Sequence, residues 1–422
     1  MADRRLAGFP RKGPVTLTLE GDPVRAYEGE PVAVALFASG VNVLSRSIKY
    51  HRPRTFFCLD GHCAACLMRI DGVPNLRSCR VLVRDGMTCQ RQNALPSASF
   101  DILAAADWLF PHGMDHHTLL AKQPLLRPVL HKVVRELGGL GHLPDAPPAE
   151  LPPATRRHVE LLVVGGGPAG LACATAAARR GRAVLLIDEN DTPGGSLLAE
   201  PPDGPERARE LAAAARKAGV ELLTQATAIA YFPEDAGGLL AVQAPQGLLE
   251  LRADRTVYAT GTYDQNILCP DNDRPGVLAA RAVGRLLVRW GVRPATRVAV
   301  VGGFSYGARL ARALEAAGIA ALQAPAVTRV HGHRWVEAIE LAGGQREECD
   351  LVAAAAPPLP ASEIARQHGV RVCDHTRAFA IDVGGDGATS RPGIFACGDV
   401  TSAADPDPGR AAAAGAALGE RI

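Results

Sequence analysis

Val163-Val164-Gly165-Gly166-Gly167-Pro168-Ala169-Gly170 is the stretch on which the reading of this chain turns. It sets G-x-G-x-x-G between an apolar strand and an Ala-rich helix. Asp188 follows Gly167 twenty-one residues later, at the end of Val184-Leu185-Leu186-Ile187. The glycines permit a tight turn and close backbone approach to a pyrophosphate at a helix N-terminus, while the acid accepts hydrogen bonds from an adenosine ribose. Motif, strand, helix and acid together predict a site for an ADP moiety at Gly165, Gly167, Pro168, Ala169, Gly170, Asp188 and Glu189. Around it, strands are expected at 159–164, 183–187 and 220–224, alternating with helices at 169–180 and 205–218. Such alternation predicts a parallel sheet covered on both faces. A second strand and helix, 297–301 and 306–317, suggest two dinucleotide-type units in tandem.

The composition sets bounds on the rest. At 422 residues the chain has room for roughly two to four domains, and 47% hydrophobic with 21% charged residues is a globular mixture. Lys and Arg number 46 against 44 acids, a net charge of +2, so no field of one sign favours nucleic acid or anionic lipid. No run approaches about 18 apolar residues, and Met1 to Phe9 lacks an apolar leader core. A soluble, unexported, cytoplasmic protein without a transmembrane segment is expected.

Ten cysteines in a long chain of this kind suggest thiolate chemistry more than a disulfide scaffold. Four are clustered: Cys58, Cys63 and Cys66 give C-x4-C-x2-C, and Cys79 follows after twelve further residues. This is the plant-type [2Fe-2S] spacing, three ligands from one wrapping loop and the fourth from a neighbouring strand. Gly61, Ala64 and Ala65 would let the backbone approach the sulfides. A tetrahedral zinc site and a redox-active Cys63-x-x-Cys66 pair are the alternatives. Cys89 stands outside the spacing and reads as a buried or spare thiol. The residues around the cysteines predict a small β-rich domain. A hairpin turns at Gly21-Asp22 and leads into a short helix within 31–38; strands follow at Leu67–Ile70, 79–83 and 87–89, with a turn at Asp71-Gly72.

Residues 100–143 carry broken helical spacing, and Pro144 to Pro153 reads as a linker. The expected division is a [2Fe-2S] domain at 12–98, a helical connector and linker at 99–157, a first dinucleotide-binding part at 158–262, a second unit at 263–376 and a return to the first at 377–422. Within the connector, His112, Met114, Asp115, His116 and His117 lie close together. Prolines and Gly113 weaken a helix there, so a structural or interface role is preferred to a metal site. No nucleophile-elbow context and no recognisable substrate base is visible. The basic run Arg46, Lys49, His51, Arg52 and Arg54 has three readings: it stabilises an anionic cluster, docks an acidic partner, or is a solvated loop.

Three further landmarks, Gly194-Gly195-Ser196-Leu197, Tyr258-Ala259-Thr260-Gly261 and Gly393-Ile394-Phe395-Ala396-Cys397-Gly398-Asp399, are similar to those of reductases with two dinucleotide domains. That resemblance implies a flavoprotein fold of the thioredoxin or glutathione reductase kind, preceded here by a β-grasp ferredoxin-like domain. It adds Gly195, Ser196, Thr260, Gly261, Gly398 and Asp399 to the cofactor-binding candidates, with Asp399 on a flavin ribityl chain. The second motif, Val301-Gly302-Gly303-Phe304-Ser305-Tyr306-Gly307, is damaged. Phe304 stands where a glycine is required, and no acid or Arg pair follows the strand at 320–326. Nucleotide binding there is expected to be lost or altered, and the lack of C-x-x-C in this unit argues against a thioredoxin reductase.

Arg46-Ser47-Ile48-Lys49-Tyr50-His51-Arg52-Pro53-Arg54, Gly194-Gly195-Ser196-Leu197-Leu198-Ala199-Glu200 and Asn272-Asp273-Arg274-Pro275-Gly276-Val277 resemble the α subunit of heterotetrameric sarcosine oxidase. They also resemble the large subunits of proline or hydroxyproline dehydrogenase, opine oxidase and hydrogen cyanide synthase. The resemblance implies an oxidoreductase acting on CH–NH or CH–NH2 donors as part of a complex. The amine substrate would be oxidised on an FAD-containing β subunit, and FMN would sit at a subunit interface. In some relatives the first nucleotide site holds NAD or ATP in place of FAD. The folate domain of sarcosine oxidase α would begin beyond Ile422, so one-carbon transfer is not expected. Two rival functions remain: a self-contained NAD(P)H reductase with FAD and [2Fe-2S], and a scaffold with a structural nucleotide.

Overall fold

The computed structural model describes residues 3–109, 152–233, 238–373, 379–402 and 405–422. The histidine group at 112–117 and most of the expected connector and linker fall outside them. The amino-terminal unit begins with the hairpin β1 (Pro14–Leu19) and β2 (Asp22–Tyr27), followed by α1 (Val32–Ala38). It continues through β3 (Leu67–Ile70), β4 (Val73–Arg77) and β5 (Thr88–Gln90). The five strands form one sheet in the order β2-β1-β5-β3-β4, with the β1–β5 pair parallel and the others antiparallel.

The strand expected at 79–83 lies earlier, at Val73–Arg77. Asp71 and Gly72 both take positive φ, 48° and 79°, so the chain reverses within two residues and pairing resumes at once. Pro74 and Asn75 hide that strand in the sequence. Cys79 therefore sits on the turn just after β4, not within a strand.

The first dinucleotide unit is built from β6 (Thr155–Val164), α2 (Pro168–Arg179), β7 (Val184–Ile187), α3 (Gly204–Lys217) and β8 (Glu221–Leu223). Every residue of Val184–Ile187 is buried, as a strand covered on both faces requires. Helix α3 buries Ala208, Ala212 and Ala215 along one stripe and turns its charged residues to solvent. Strands β9 (Thr227–Phe232), β10 (Leu239–Ala244) and β11 (Gly247–Tyr258) complete the path β8-β7-β6-β11-β10-β9.

The second unit carries β12 (Val277–Ala279), then α4 (Ala280–Gly284), which runs on as a π-helical turn over Arg285–Arg289. Strand β13 (Arg297–Val301), helix α5 (Ser305–Ala316), β14 (Ala320–Ala324) and β15 (Leu351–Ala354) follow. Its parallel sheet has the order β12-β15-β13-β14. The chain then returns to the first sheet, where β16 (Ile394–Ala396) pairs with β11 and leads to α6 (Pro408–Gly419), packed on α2. One hydrophobic core joins the amino-terminal unit to the second unit. All seven residues of α1 are buried in it, and Phe37 meets both Phe56 (ring centroids 5.2 Å apart) and Trp335 (6.4 Å).

Candidate functional site: a nucleotide cavity walled by the cysteine loop

Each glycine of the first motif answers a separate steric demand. Gly165 has φ +108°, and a Cβ there would lie 2.4 Å from the Ala259 carbonyl oxygen. At Gly170 a Cβ would lie 1.8 Å from the Gly165 carbonyl oxygen, so this glycine lets α2 pack on β6. Gly167 is different: the nearest atom to a Cβ would be Gly195 Cα at 4.0 Å, leaving the space above the N-terminus of α2 open. These are the three roles that a pyrophosphate loop assigns to its glycines. The Gly194 N–H donates to the Gly166 carbonyl at 2.7 Å, which brings the Gly195–Ala199 turn over the loop.

Gly165, Gly167, Pro168, Ala169, Asp188, Glu189, Gly195, Ser196, Thr260, Gly261 and Asp399 line one cavity of about 310 Å³. Gly170 and Gly398 stand behind it, where a Cβ on Gly398 would meet Ala169 Cβ at 2.6 Å. The Asp188 carboxylate accepts from the backbone N–H groups of Gly166 (2.6 Å) and Asn190 (2.8 Å). Burial pushes its carboxyl up to about 6, and burial raises Asp399 to about 6 as well.

Both shifts are upward, so these carboxyls favour the folded state most below their ordinary range, and that contribution is lost as pH rises through 6. A hydroxyl donor reverses the preference, because it binds the carboxylate. Nucleotide affinity through Asp188 is therefore expected to fall about tenfold between pH 7.5 and pH 5, following the one proton on that carboxyl. A fluorescence titration at three pH values checks this, and a flat profile would remove Asp188 from the contact.

The cavity has a wall that sequence reasoning missed. Asp60 and His62, from the loop that carries Cys58 and Cys63, line it beside Tyr263, Glu363, Arg281 and Arg285. His62 lies 3.3 Å from Asp60 Oδ2 and 3.6 Å from Glu189 Oε1, and its ring meets Tyr263 edge-on at 4.8 Å. Burial works against charge on Asp60, yet Arg285 and His62 beside it hold its carboxyl well below the usual range. Arg80, on the turn that carries Cys79, crosses Gly61 and donates to Asn190 Oδ1 (2.5 Å) and the Glu189 carbonyl. Gly61 has φ +82°, and a Cβ there would lie 2.8 Å from Arg80 Cδ, so this glycine serves the turn and the crossing arginine. No residue spacing links positions 60, 189 and 285, which is why only the tertiary structure brings them together.

The four cysteines form two pairs. Cys58 and Cys63 have their Sγ atoms 3.4 Å apart, and the Cys66 and Cys79 side chains are hydrogen-bonded to each other. The Cys58 Sγ also accepts from the backbone N–H groups of Asp60 and Cys63, both at 3.4 Å. Among the described residues no three His, Cys, Asp or Glu side chains converge on one metal point. Two pairs suit two irons, each taking two thiolates. Cys89 is buried, 1% exposed, in the amino-terminal core. A second cavity, about 460 Å³, touches the same loop at Cys63, Ala64 and Ala65 and is faced by Arg46, Arg54 and Asn272. The basic run is largely engaged: Arg46 donates to the Ala98 carbonyl (2.8 Å) and Arg52 pairs with Asp107 (2.8 Å) and Asp273 (3.2 Å).

The model of the pyridine nucleotide-disulphide oxidoreductase family matches residues 159–307 and 305–417, more than half of the chain. The chain belongs to that family. A 2Fe-2S iron-sulfur cluster binding domain matches residues 12–94. Sarcosine oxidase subunit alpha of Rhizobium meliloti (strain 1021) is 32% identical over 333 residues, 73% of this chain and 34% of that subunit. Hydrogen cyanide synthase subunit HcnA of Pseudomonas aeruginosa is 38% identical over 79 residues, 19% of this chain and 75% of HcnA. The chain spans about a third of the length of the sarcosine oxidase alpha subunits it matches. L-Proline dehydrogenase from P. horikoshii superposes over 99% of this chain and 75% of its own with a TM-score of 0.77 at 23% identity, a likeness of fold.

This oxidoreductase departs from a working second nucleotide motif in one further way. Phe304 is buried, 8% exposed, with its ring 6.1 Å from that of Tyr306, so its bulk joins the core. At the N-terminus of α5 the Ser305 N–H donates to the Asp405 carboxylate at 3.2 Å. An internal anion thus stands where a pyrophosphate would bind.

Proposed function

We propose that this oxidoreductase is the iron-sulfur flavoprotein subunit of a multi-subunit amine or amino-acid dehydrogenase or oxidase, of the sarcosine, proline, hydroxyproline or opine type. It would carry electrons from a partner's flavin through FAD or FMN and a [2Fe-2S] cluster to an acceptor. The observation that carries this reading is the shared wall: Asp60 and His62 of the cysteine loop line the same cavity as the glycine loop. A flavin accepts two electrons and the cluster one, so their pairing supplies stepwise transfer from hydride chemistry.

In this reading Cys58, Cys63, Cys66 and Cys79 hold the cluster, as two pairs. Gly165, Gly167, Pro168, Ala169 and Gly170 shape the pyrophosphate seat, and Asp188 and Glu189 face the adenosine ribose. Gly195 and Ser196 cover the seat, Thr260 and Gly261 form its far wall, and Asp399 reaches the ribityl chain with Gly398 packed behind it. NAD and ATP compete for the same seat. The proposal includes a cytoplasmic location, an FAD-bearing β-type partner that binds the amine, and FMN at their interface. It also includes the division of the chain at 12–98, 99–157, 158–262, 263–376 and 377–422, with the 263–376 unit no longer binding pyridine nucleotide. Among the described residues no helix is long and apolar enough to cross a membrane.

Anaerobic purification with and without the neighbouring gene products, followed by a visible spectrum, iron analysis and release of bound nucleotide, tests the reading. About two irons per chain and a flavin are expected, and NADH should not bleach that flavin rapidly. Rapid bleaching would support the reductase reading instead. Zinc without iron, or a colourless protein holding only NAD or ATP, would leave the scaffold.

A further inference from the structure

Arg281, Arg285 and Arg289 recur every four residues along α4 and its π-helical extension, and each is paired with an acid from a different part of the chain. Arg281 Nε donates to Asp264 at 2.6 Å, Arg285 to Asp60 at 2.5 Å, and Arg289 to Asp191 at 3.0 Å. π-Helical turns are rare and concentrate at functional positions. Arg281 and Arg285 also line the nucleotide cavity.

Arg285 is the middle rung and is 1% exposed. One terminal nitrogen donates to the Cys58 carbonyl at 3.2 Å and the other to Asp60 Oδ2, so two nitrogens hold the cysteine loop. Its Nε is buried and has no partner. A buried donor without an acceptor costs free energy, so Arg285 is held in place by its two terminal nitrogens against that cost.

Resting on the function proposed above, we propose that Arg285 is a two-sided positioning residue. Its terminal nitrogens fix the Cys58–Asp60 arm of the cluster loop, and its guanidinium charge stands at the edge of the cavity that would hold the redox ring. Its charge then stabilises added negative charge on both sides, and its planar fork fixes the separation between them. No bond is made or broken at the guanidinium. Each electron that leaves the reduced ring is taken up by the cluster. Arg281 and Arg289 anchor the segment at its two ends. The second unit, closed to nucleotide at α5, serves through α4 as the clamp between the cofactor sites.

The test uses the full chain carrying flavin and cluster, with Arg285→Met, Arg285→Lys and the double variant Arg285→Met/Asp60→Asn. The double variant removes both charges, so no buried carboxylate is left unpaired if the single variant folds poorly. Midpoint potentials of flavin and cluster are read by spectroelectrochemical titration, and electron passage by flash reduction of the flavin. Arg285→Met is expected to lower both potentials, and both it and the double variant are expected to slow passage at least tenfold. Lys, which keeps the charge but loses the fork, should restore the potentials more than the rate. A wild-type rate in the double variant, or wild-type potentials in a folded Arg285→Met, would overturn the proposal and leave Arg285 a structural clasp. A wild-type protein that lacks flavin or cluster would instead overturn the functional reading.

Discussion

Exchange of Cys79 for Ala is expected to abolish the iron centre while leaving the nucleotide site intact. Cys79 is the one candidate ligand outside the 58–66 loop, on the turn after β4, and its side chain is hydrogen-bonded to that of Cys66. Without it one iron keeps a single thiolate, and a [2Fe-2S] cluster held by three ligands does not persist. The nucleotide cavity is lined by none of the residues from 66 to 79, so FAD affinity should change less than about twofold, within ordinary surface-mutation effects. Iron analysis, electron paramagnetic resonance of the reduced protein and an FAD titration measure both halves. Retention of a full iron complement would show that the spacing had been misread.

Gly167→Val is expected to have the complementary effect. Gly167 has extended backbone, φ −73° and ψ −177°, which valine adopts without strain, and its Cβ would find nothing nearer than 4.0 Å. The fold should survive, with an unchanged melting temperature in the absence of nucleotide. The added methyl groups fill the space that a pyrophosphate needs, and FAD affinity is expected to fall about a hundredfold, or about 2.7 kcal/mol. Gly170→Ala is the control that separates the effects, since a Cβ 1.8 Å from a carbonyl oxygen damages fold and binding together. FAD binding at wild-type affinity in the valine variant would place the nucleotide elsewhere.

The sequence was legible wherever chemistry is local. Gly165 to Gly170 and Asp188 belong to one strand-helix-strand unit, so their spacing along the chain already encodes their spacing in the cavity, and eleven of the thirteen nucleotide candidates line it. The cysteine spacing works in the same way, because three of the four sit on one loop. The strand at Val73–Arg77 was misplaced because its polar residues give no alternation, and the two-residue turn before it decides the register. The wall formed by Asp60, His62 and Arg285 could not be read, since it joins two distant chain segments through ion pairs that have no periodic signature. Arg281, Arg285 and Arg289 were visible as a four-residue repeat, but a row of arginines is ordinarily a solvated helix face. Asp405 at the N-terminus of α5 was equally silent, being a hundred residues from the amide it meets.

The core that runs from α1 into the second unit has a consequence for how the molecule comes apart. Seven consecutive apolar residues, Val32–Ala38, have no outward face, so the amino-terminal sheet has no surface of its own on that side. Units that share an interior in this way open as one, and their slowest amide hydrogens report a common opening free energy. A swinging ferredoxin domain, shuttling between donor and acceptor, is therefore not available to this chain. The distance between the cysteine loop and the glycine loop is already set when the polypeptide folds.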